Sequence, residues 1–217
     1  MSPPVSVVVD TTDAQWLAVA DGCLSREEEA RAARFHHPTD RDTWRAGRAW
    51  IRHHLGETLG LPASQIVFAT DHRGRPSIKG APPGFDCNWS HSGAWIALAF
   101  SHEARVGIDI ECLRDDFPVD DVSRSVCSPA ELAALRDAVD PASRRALFFH
   151  LWTAKEALMK ATGLGVALEP AAIDVECHQL HPIRFASHPH WHLTCQPPSH
   201  DISLSWAWGA VGDQAGR

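Results

Sequence analysis

The chain has 217 residues, 44% of them hydrophobic, with 9 Trp, 8 Phe and a formal net charge of -7. That apolar content can bury a real core and excludes a disordered chain, while the acidic balance excludes general nucleic-acid binding, which needs a basic surface. No apolar run approaches the roughly 18 residues of a membrane span, and Met1-Ser2-Pro3-Pro4 lacks the start of a signal peptide, so no membrane association and a cytoplasmic location are expected.

In chain order, the β-branched segment from Val5 to Asp10 predicts a strand. Ser25-Arg26-Glu27-Glu28 has the capping-box form and predicts a helix from about Arg26 to Arg34, ended by His37-Pro38. A second helix is predicted over Asp40 to Leu59, with Trp44, Ile51, Leu55 and Leu59 on one face and Gly60-Leu61-Pro62 closing it. Ile66 to Thr70 predicts a short strand, followed by the turn-rich Asp71-His72-Arg73-Gly74-Arg75-Pro76 and a loop from Gly80 to Gly84. Trp95 to Phe100 is an apolar run that Ser101-His102-Glu103-Ala104 can turn back into Arg105 to Glu111, so a β-hairpin is expected there. Ser128-Pro129-Ala130-Glu131 starts a third helix, and Asp140-Pro141 starts a fourth that runs through Thr162 to Gly163-Leu164-Gly165. The segments Ile173 to Cys177, Trp191 to Cys195 and Ile202 to Trp208 read as strands. Each half reads as helices followed by strands, with no residue-level repeat. The expected fold class is α+β, two similar α/β subdomains spanning 1–102 and 103–217.

Two stretches carry the chemistry. In Val106-Gly107-Ile108-Asp109-Ile110-Glu111, alternation turns the aliphatic residues to the core and Gly107, Asp109 and Glu111 to the other face. Carboxylates at i and i+2 sit roughly 7 Å apart along a strand, suited to sharing one Mg²⁺, although this hexapeptide taken alone reads slightly better as a solvated strand face. In Trp152-Thr153-Ala154-Lys155-Glu156-Ala157-Leu158-Met159-Lys160, residues Trp152, Glu156 and Lys160 line one stripe of a helix too apolar to be exposed. A buried charge needs a partner or a ligand, and a metal held by Asp109, Glu111 and Glu156 supplies one. Phosphate needs cations: Arg41, Arg45, Arg48 and Arg52 form a basic helix stripe, and Arg73-Gly74-Arg75 offers guanidinium and turn backbone together. Asn88-Trp89-Ser90-His91-Ser92 adds donors before a strand. Three other features carry less. The six cysteines lack a Cys-x-x-Cys pair and read as reduced thiols. His188-Pro189-His190-Trp191-His192 reads as a surface edge or turn, and Asp115-Asp116 with Asp120-Asp121 as a solvated acidic loop without EF-hand spacing.

With Gly74-Arg75-Pro76, Asn88-Trp89-Ser90-His91-Ser92, Val106 to Glu111 and Trp152 to Ala157 plus Lys160 in this order, the chain resembles the 4′-phosphopantetheinyl transferases of the surfactin-synthetase-activating (Sfp) type. The resemblance spans about residues 25 to 175. It implies a pseudo-twofold monomer with coenzyme A in a cleft between two α/β halves, acting on apo acyl or peptidyl carrier domains of fatty-acid, polyketide or nonribosomal-peptide synthases. It implies that Asp109, Glu111 and Glu156 hold Mg²⁺, with Mn²⁺ as the other candidate, and that Lys160 reaches the diphosphate. Arg31, Ser90 and His91 would contact nucleotide phosphates, with Asn88 alongside, and Arg75 with the turn Arg73-Gly74 would border adenine and phosphates. Glu156 would take the proton from the carrier serine. The Arg41 to Arg52 stripe could meet either the acidic carrier or the nucleotide. Thr43-Trp44 and Trp89 depart from the family's commonest pattern. A Mg²⁺-dependent phosphohydrolase and a non-catalytic carrier-binding module are the rival readings.

Overall fold

The fold is built twice from the same succession of elements. The computed structural model describes residues 3–71, 74–178, 181–199 and 202–210. The first half runs β1 (Val5–Asp10), α1 (Ala14–Cys23), α2 (Arg26–Ala32), α3 (Pro38–Leu59), β2 (Phe68–Thr70), β3 (Pro76–Ile78), β4 (Asp86–Ser92) and β5 (Trp95–Ser101). The second runs β6 (Ala104–Cys112), α4 (Val119–Val126), α5 (Pro129–Arg136), α6 (Pro141–Thr162), β7 (Val175–His178), β8 (His181–Phe185), β9 (His192–Ser199) and β10 (Ile202–Ala210). Each half has a three-stranded antiparallel sheet of the same order, β1-β5-β4 and β6-β10-β9, with a small hairpin, β2-β3 or β7-β8, beside it. This is the expected α+β architecture. Among the described residues no helix is long and apolar enough to cross a membrane.

The repeat reaches individual residues, which corrects the expectation that it would not. Ser25 with Glu28 and Ser128 with Glu131 form complete capping boxes at α2 and α5. Pro38 and Pro141 open the two 22-residue helices, and Gly60 and Gly163 close them in the left-handed conformation, at φ 67° and 71°. The box glutamate then meets a cation from the long helix. Arg52 contacts Glu28 at 2.7 Å and donates to the carbonyls of Ala63 and Ile66, while Lys155 contacts Glu131 at 2.6 Å and donates to those of Val126 and Pro170. All five pairs stand at one sequence offset, but Arg52 and Lys155 differ in identity and little else recurs, so the repeat is structural before it is textual.

Other differences have physical reasons. The expected hairpin of β5 with β6 does not form. Both edges of β5 are occupied by β1 and β4, β6 pairs with β10, and the turn at 101–104 passes the chain from one sheet to the other. Helix α1 is held by its Asp13 N-cap, which accepts from the Gln15 N–H. In α4, Val119, Val122 and Val126 join the α6 core while Asp120 and Asp121 face outward, so part of the acidic loop is helical. All six cysteines are free thiols.

Strand β6 joins the halves. Val106, Ile108 and Ile110 are fully buried against Ala97 and Ala99 of β5. Its opposite face meets α6, and a Cβ at Gly107 would lie 2.1 Å from the Ala157 carbonyl oxygen. The approach that glycine permits here is that of the helix itself. No backbone ladder joins β6 to β4. Instead, alternate β4 side chains satisfy the free edge of β6: Asp86 accepts from the Val106 N–H at 2.8 Å, Asn88 from Ile108 at 3.1 Å and Ser92 from Cys112 at 3.1 Å.

Gly107→Ala forces β6 and α6 apart, so we expect a loss of about 1–3 kcal/mol in urea unfolding, the usual cost of overpacking. Unchanged stability would show that the packing has slack the structure does not display.

Candidate active site

The contact of α6 with the carboxylate face of β6 sets the geometry of the site. Lys160 Nζ lies 2.6 Å from Asp109 Oδ1, 2.9 Å from Ser90 Oγ and 3.2 Å from the Ile108 carbonyl oxygen. Ser90 in turn donates to Asp109 Oδ1 at 2.7 Å, and Ser92 donates to Glu111 Oε2 at 2.7 Å. Two hydroxyls spaced i, i+2 on β4 thus orient two carboxylates spaced i, i+2 on β6. Beneath them, across β10, Ser205 stands opposite Asp109 and Ser203 opposite Glu111, and the Thr153 hydroxyl of α6 lies 2.9 Å from both serine hydroxyls. This buried polar layer keys α6 to the sheet below the site.

The electrostatics are acidic. Burial pushes the Glu111 and Glu156 carboxyls above their ordinary range, the Asp109 charge pushes both further, and Lys160 opposes the shift. Asp109 Oδ2 is buried without a hydrogen-bond partner. Among the described residues no three His, Cys, Asp or Glu side chains close into a ready-made metal cage. Asp109 meets the Lys160 ammonium directly, and Glu111 and Glu156 stand near enough for the Asp109 and Lys160 charges to act on both.

Lys160 also lines a cavity of about 640 Å³ running between α3, β4 and the end of α6. Its walls include Arg31, Gly74, Arg75, Asn88 and His91 among the sequence-predicted residues. Arg73 lies outside the described residues. Ser90 is engaged by Asp109 and Lys160, and the Asn88 Oδ1 by the Ile108 amide. The Arg75 guanidinium donates to Asp86, to the Val106 carbonyl and to the Lys160 carbonyl.

The basic stripe of α3 divides into four environments. Arg41 pairs with Asp42 at the surface, Arg45 bridges Asp21 and Glu29, Arg52 is buried on Glu28, and Arg48 pairs with the same glutamate at 3.2 Å. Only Arg48 faces the cavity. Its guanidinium sits over the rings of Trp44, Phe68 and Trp89 at 5.5, 4.6 and 5.2 Å, and Arg31 covers the same Trp44 ring at 5.4 Å. Arg48 is thus the member of the predicted basic stripe that lines the cavity, and Trp44, read from the sequence as part of the apolar helix face, lines it too. Asp86 was missed, and the donor run that includes Ser92 was read as preceding a strand where it lies within β4, although the polar alternation Asp86, Asn88, Ser90, Ser92 announces a strand with a working polar face.

Comparison with known proteins identifies the family. A model of the 4′-phosphopantetheinyl transferase superfamily matches residues 105–207, and one of the 4′-phosphopantetheinyl transferase N-terminal region matches 10–103. The chain is 34% identical over 193 residues to the 4′-phosphopantetheinyl transferase HetI of a Nostoc species, covering 88% of this chain and 81% of that protein. The chain belongs to the 4′-phosphopantetheinyl transferase superfamily. Other similar members are psf-1 of Bacillus pumilus, 39% identical over 146 residues with 66% of this chain and 60% of that protein covered, and Sfp of Bacillus subtilis, 31% identical over 157 residues with 72% and 67% covered.

In this superfamily member Ser90→Ala removes a buried hydrogen bond to a charged carboxylate. A cost of about 1.5–3 kcal/mol in urea unfolding is expected; a neutral substitution would mean that Lys160 alone holds Asp109.

Proposed function

We propose that this chain transfers the 4′-phosphopantetheine group of coenzyme A to a serine hydroxyl of an apo acyl or peptidyl carrier domain of a fatty-acid, polyketide or nonribosomal-peptide synthase, releasing adenosine 3′,5′-bisphosphate. The observation that carries this reading is the contact of Lys160 with Asp109 beside a cavity that Lys160, Arg31 and Arg48 line together. A long ligand with an anionic nucleotide end and a diphosphate suits that charge distribution. The half spanning 1–102 supplies the nucleotide wall, with Arg31 and His91 toward the phosphates. The half spanning 103–217 supplies the carboxylates and the catalytic helix.

Asp109, Glu111 and Glu156 are the residues to hold Mg²⁺ or Mn²⁺, which when bound supplies charge neutralisation at the diphosphate. The Lys160 ammonium, fixed in a part-buried setting, adds positive charge where the leaving oxygen becomes anionic. Glu156 accepts the carrier serine proton, directly or through a water. The serine oxygen then bonds to the β-phosphorus as the bond to the bisphosphate leaving group breaks.

Incubation with coenzyme A, Mg²⁺ and a panel of apo-carriers, followed by intact-mass measurement, is expected to show a carrier heavier by one 4′-phosphopantetheine group. Phosphate-containing products with every carrier left unmodified would instead establish a phosphohydrolase. Glu156→Gln should lower transfer on the order of 10²–10⁴-fold with the unfolding midpoint retained. Normal turnover in that variant would remove Glu156 as the base.

A further inference from the structure

The Arg75 side chain has a connection that a phosphate-binding role leaves unexplained. It is 8% exposed, and its guanidinium reaches three elements at once: the Asp86 carboxylate at the start of β4, the Val106 carbonyl of β6 at 2.7 Å, and the Lys160 carbonyl in the last turn of α6. Asp86 also accepts from the Val106 N–H at 2.8 Å, so Arg75 and Asp86 together close that residue's outward edge. The segment that carries Arg75 is itself tied down, with the Arg75 N–H donating to Asp71 Oδ1 at 3.0 Å and the Gly74 N–H to the Asp71 carbonyl at 3.0 Å.

Lys160 is therefore pinned at both ends. Its ammonium is held by Asp109, Ser90 and the Ile108 carbonyl, and its own carbonyl is held by Arg75. Val106 and Ile108 are alternate residues on the same edge of β6, so Arg75 and Lys160 grip neighbouring rungs of one strand. The Lys160 carbonyl also accepts from the Gly163 N–H of the helix cap at 3.2 Å; carbonyls at a helix C-terminus carry partial negative charge, so a buried guanidinium there ties this turn to the seam. A planar fork holds its acceptors in one fixed geometry, whereas the three donors of an ammonium turn freely on a flexible stem.

We propose that Arg75 is a positioning residue of the transfer reaction, acting through Lys160: it clamps the end of α6 to the β4–β6 seam and so sets where the Lys160 ammonium stands in the cleft. This rests on the role given to Lys160 above. Arg75 touches the reacting groups only through that lysine.

The test is Arg75→Lys, which keeps the positive charge a phosphate contact needs and removes the fork that the clamp needs. Three readouts apply. With coenzyme A and carrier, kcat is expected to fall by tenfold or more, toward the ~10²-fold cost of a misplaced catalytic group, while the Kd for coenzyme A by calorimetry stays within about twofold of wild type. In a Lys160→Ala background the same substitution adds no further loss, as expected when two residues act as one unit. In hydrogen exchange, the amides of the last α6 turn become less protected in Arg75→Lys whether or not the wild-type protein transfers anything. Wild-type kcat in Arg75→Lys, with Arg75→Met raising the Kd for coenzyme A, would overturn the proposal and make Arg75 a ligand of the nucleotide. Additive losses with Lys160→Ala, or unchanged protection of the α6 turn, would overturn it as well. Changed protection combined with no transfer by the wild-type protein would support the clamp and count against the proposed function alone.

Discussion

Everything at the site depends on how the free edge of β6 is satisfied. A buried strand edge with open amides and carbonyls is costly, and the ordinary remedy is another strand. Here β10 takes one edge, and the other is met by side chains: Asp86, Asn88 and Ser92 from β4, Arg75 from the segment before β3, and Lys160 from α6. A backbone ladder would zip the two sheets together and leave no functional groups between them. A side-chain seam joins the halves through groups that also orient one another, and Ser90, Asp109 and Lys160 lie within it.

The duplication explains why the scaffold is stiff where the seam is delicate. In both halves a capping-box glutamate sits buried against a cation from the long helix, and that cation also reaches carbonyls beyond it. Such pairs are strongly destabilising to break, because one uncompensated charge would remain buried. They fix α3 and α6 against their own sheets. The halves then diverge in what they offer the cavity: α3 gives Trp44 and Arg48, and α6 gives Met159 and Lys160, so a symmetric frame presents a cationic, aromatic wall from one long helix and the Asp109-bound lysine from the other.

The sequence made some of this legible and hid the rest for specific reasons. Helix α6 could be bounded closely, since Asp140-Pro141 and Gly163 are direct backbone signals. The alternation of β6 placed Val106, Ile108 and Ile110 in the core and Asp109 on the other face. The pairing of β6 with β10 rather than β5 could not be read, because Ser101 to Ala104 reverses the chain in the same way whether the flanking strands pair or part. The engagement of Arg45 and Arg52 by Asp21, Glu29 and Glu28 was hidden by distance in the chain, as was the reach of Arg75 to α6. A run of arginines states a charge and a helix face, and only the fold decides which carboxylate or ring each guanidinium meets.

The most direct measurement is residue-resolved amide hydrogen exchange at Val106, Ile108 and Cys112, in the wild-type protein and in Asn88→Ala. If side chains close this edge, the three amides are protected in the wild type, and Asn88→Ala exposes Ile108 while Val106 and Cys112 keep their protection. Fast exchange at all three in the wild type, or an Ile108 amide indifferent to Asn88, would contradict the account at its base.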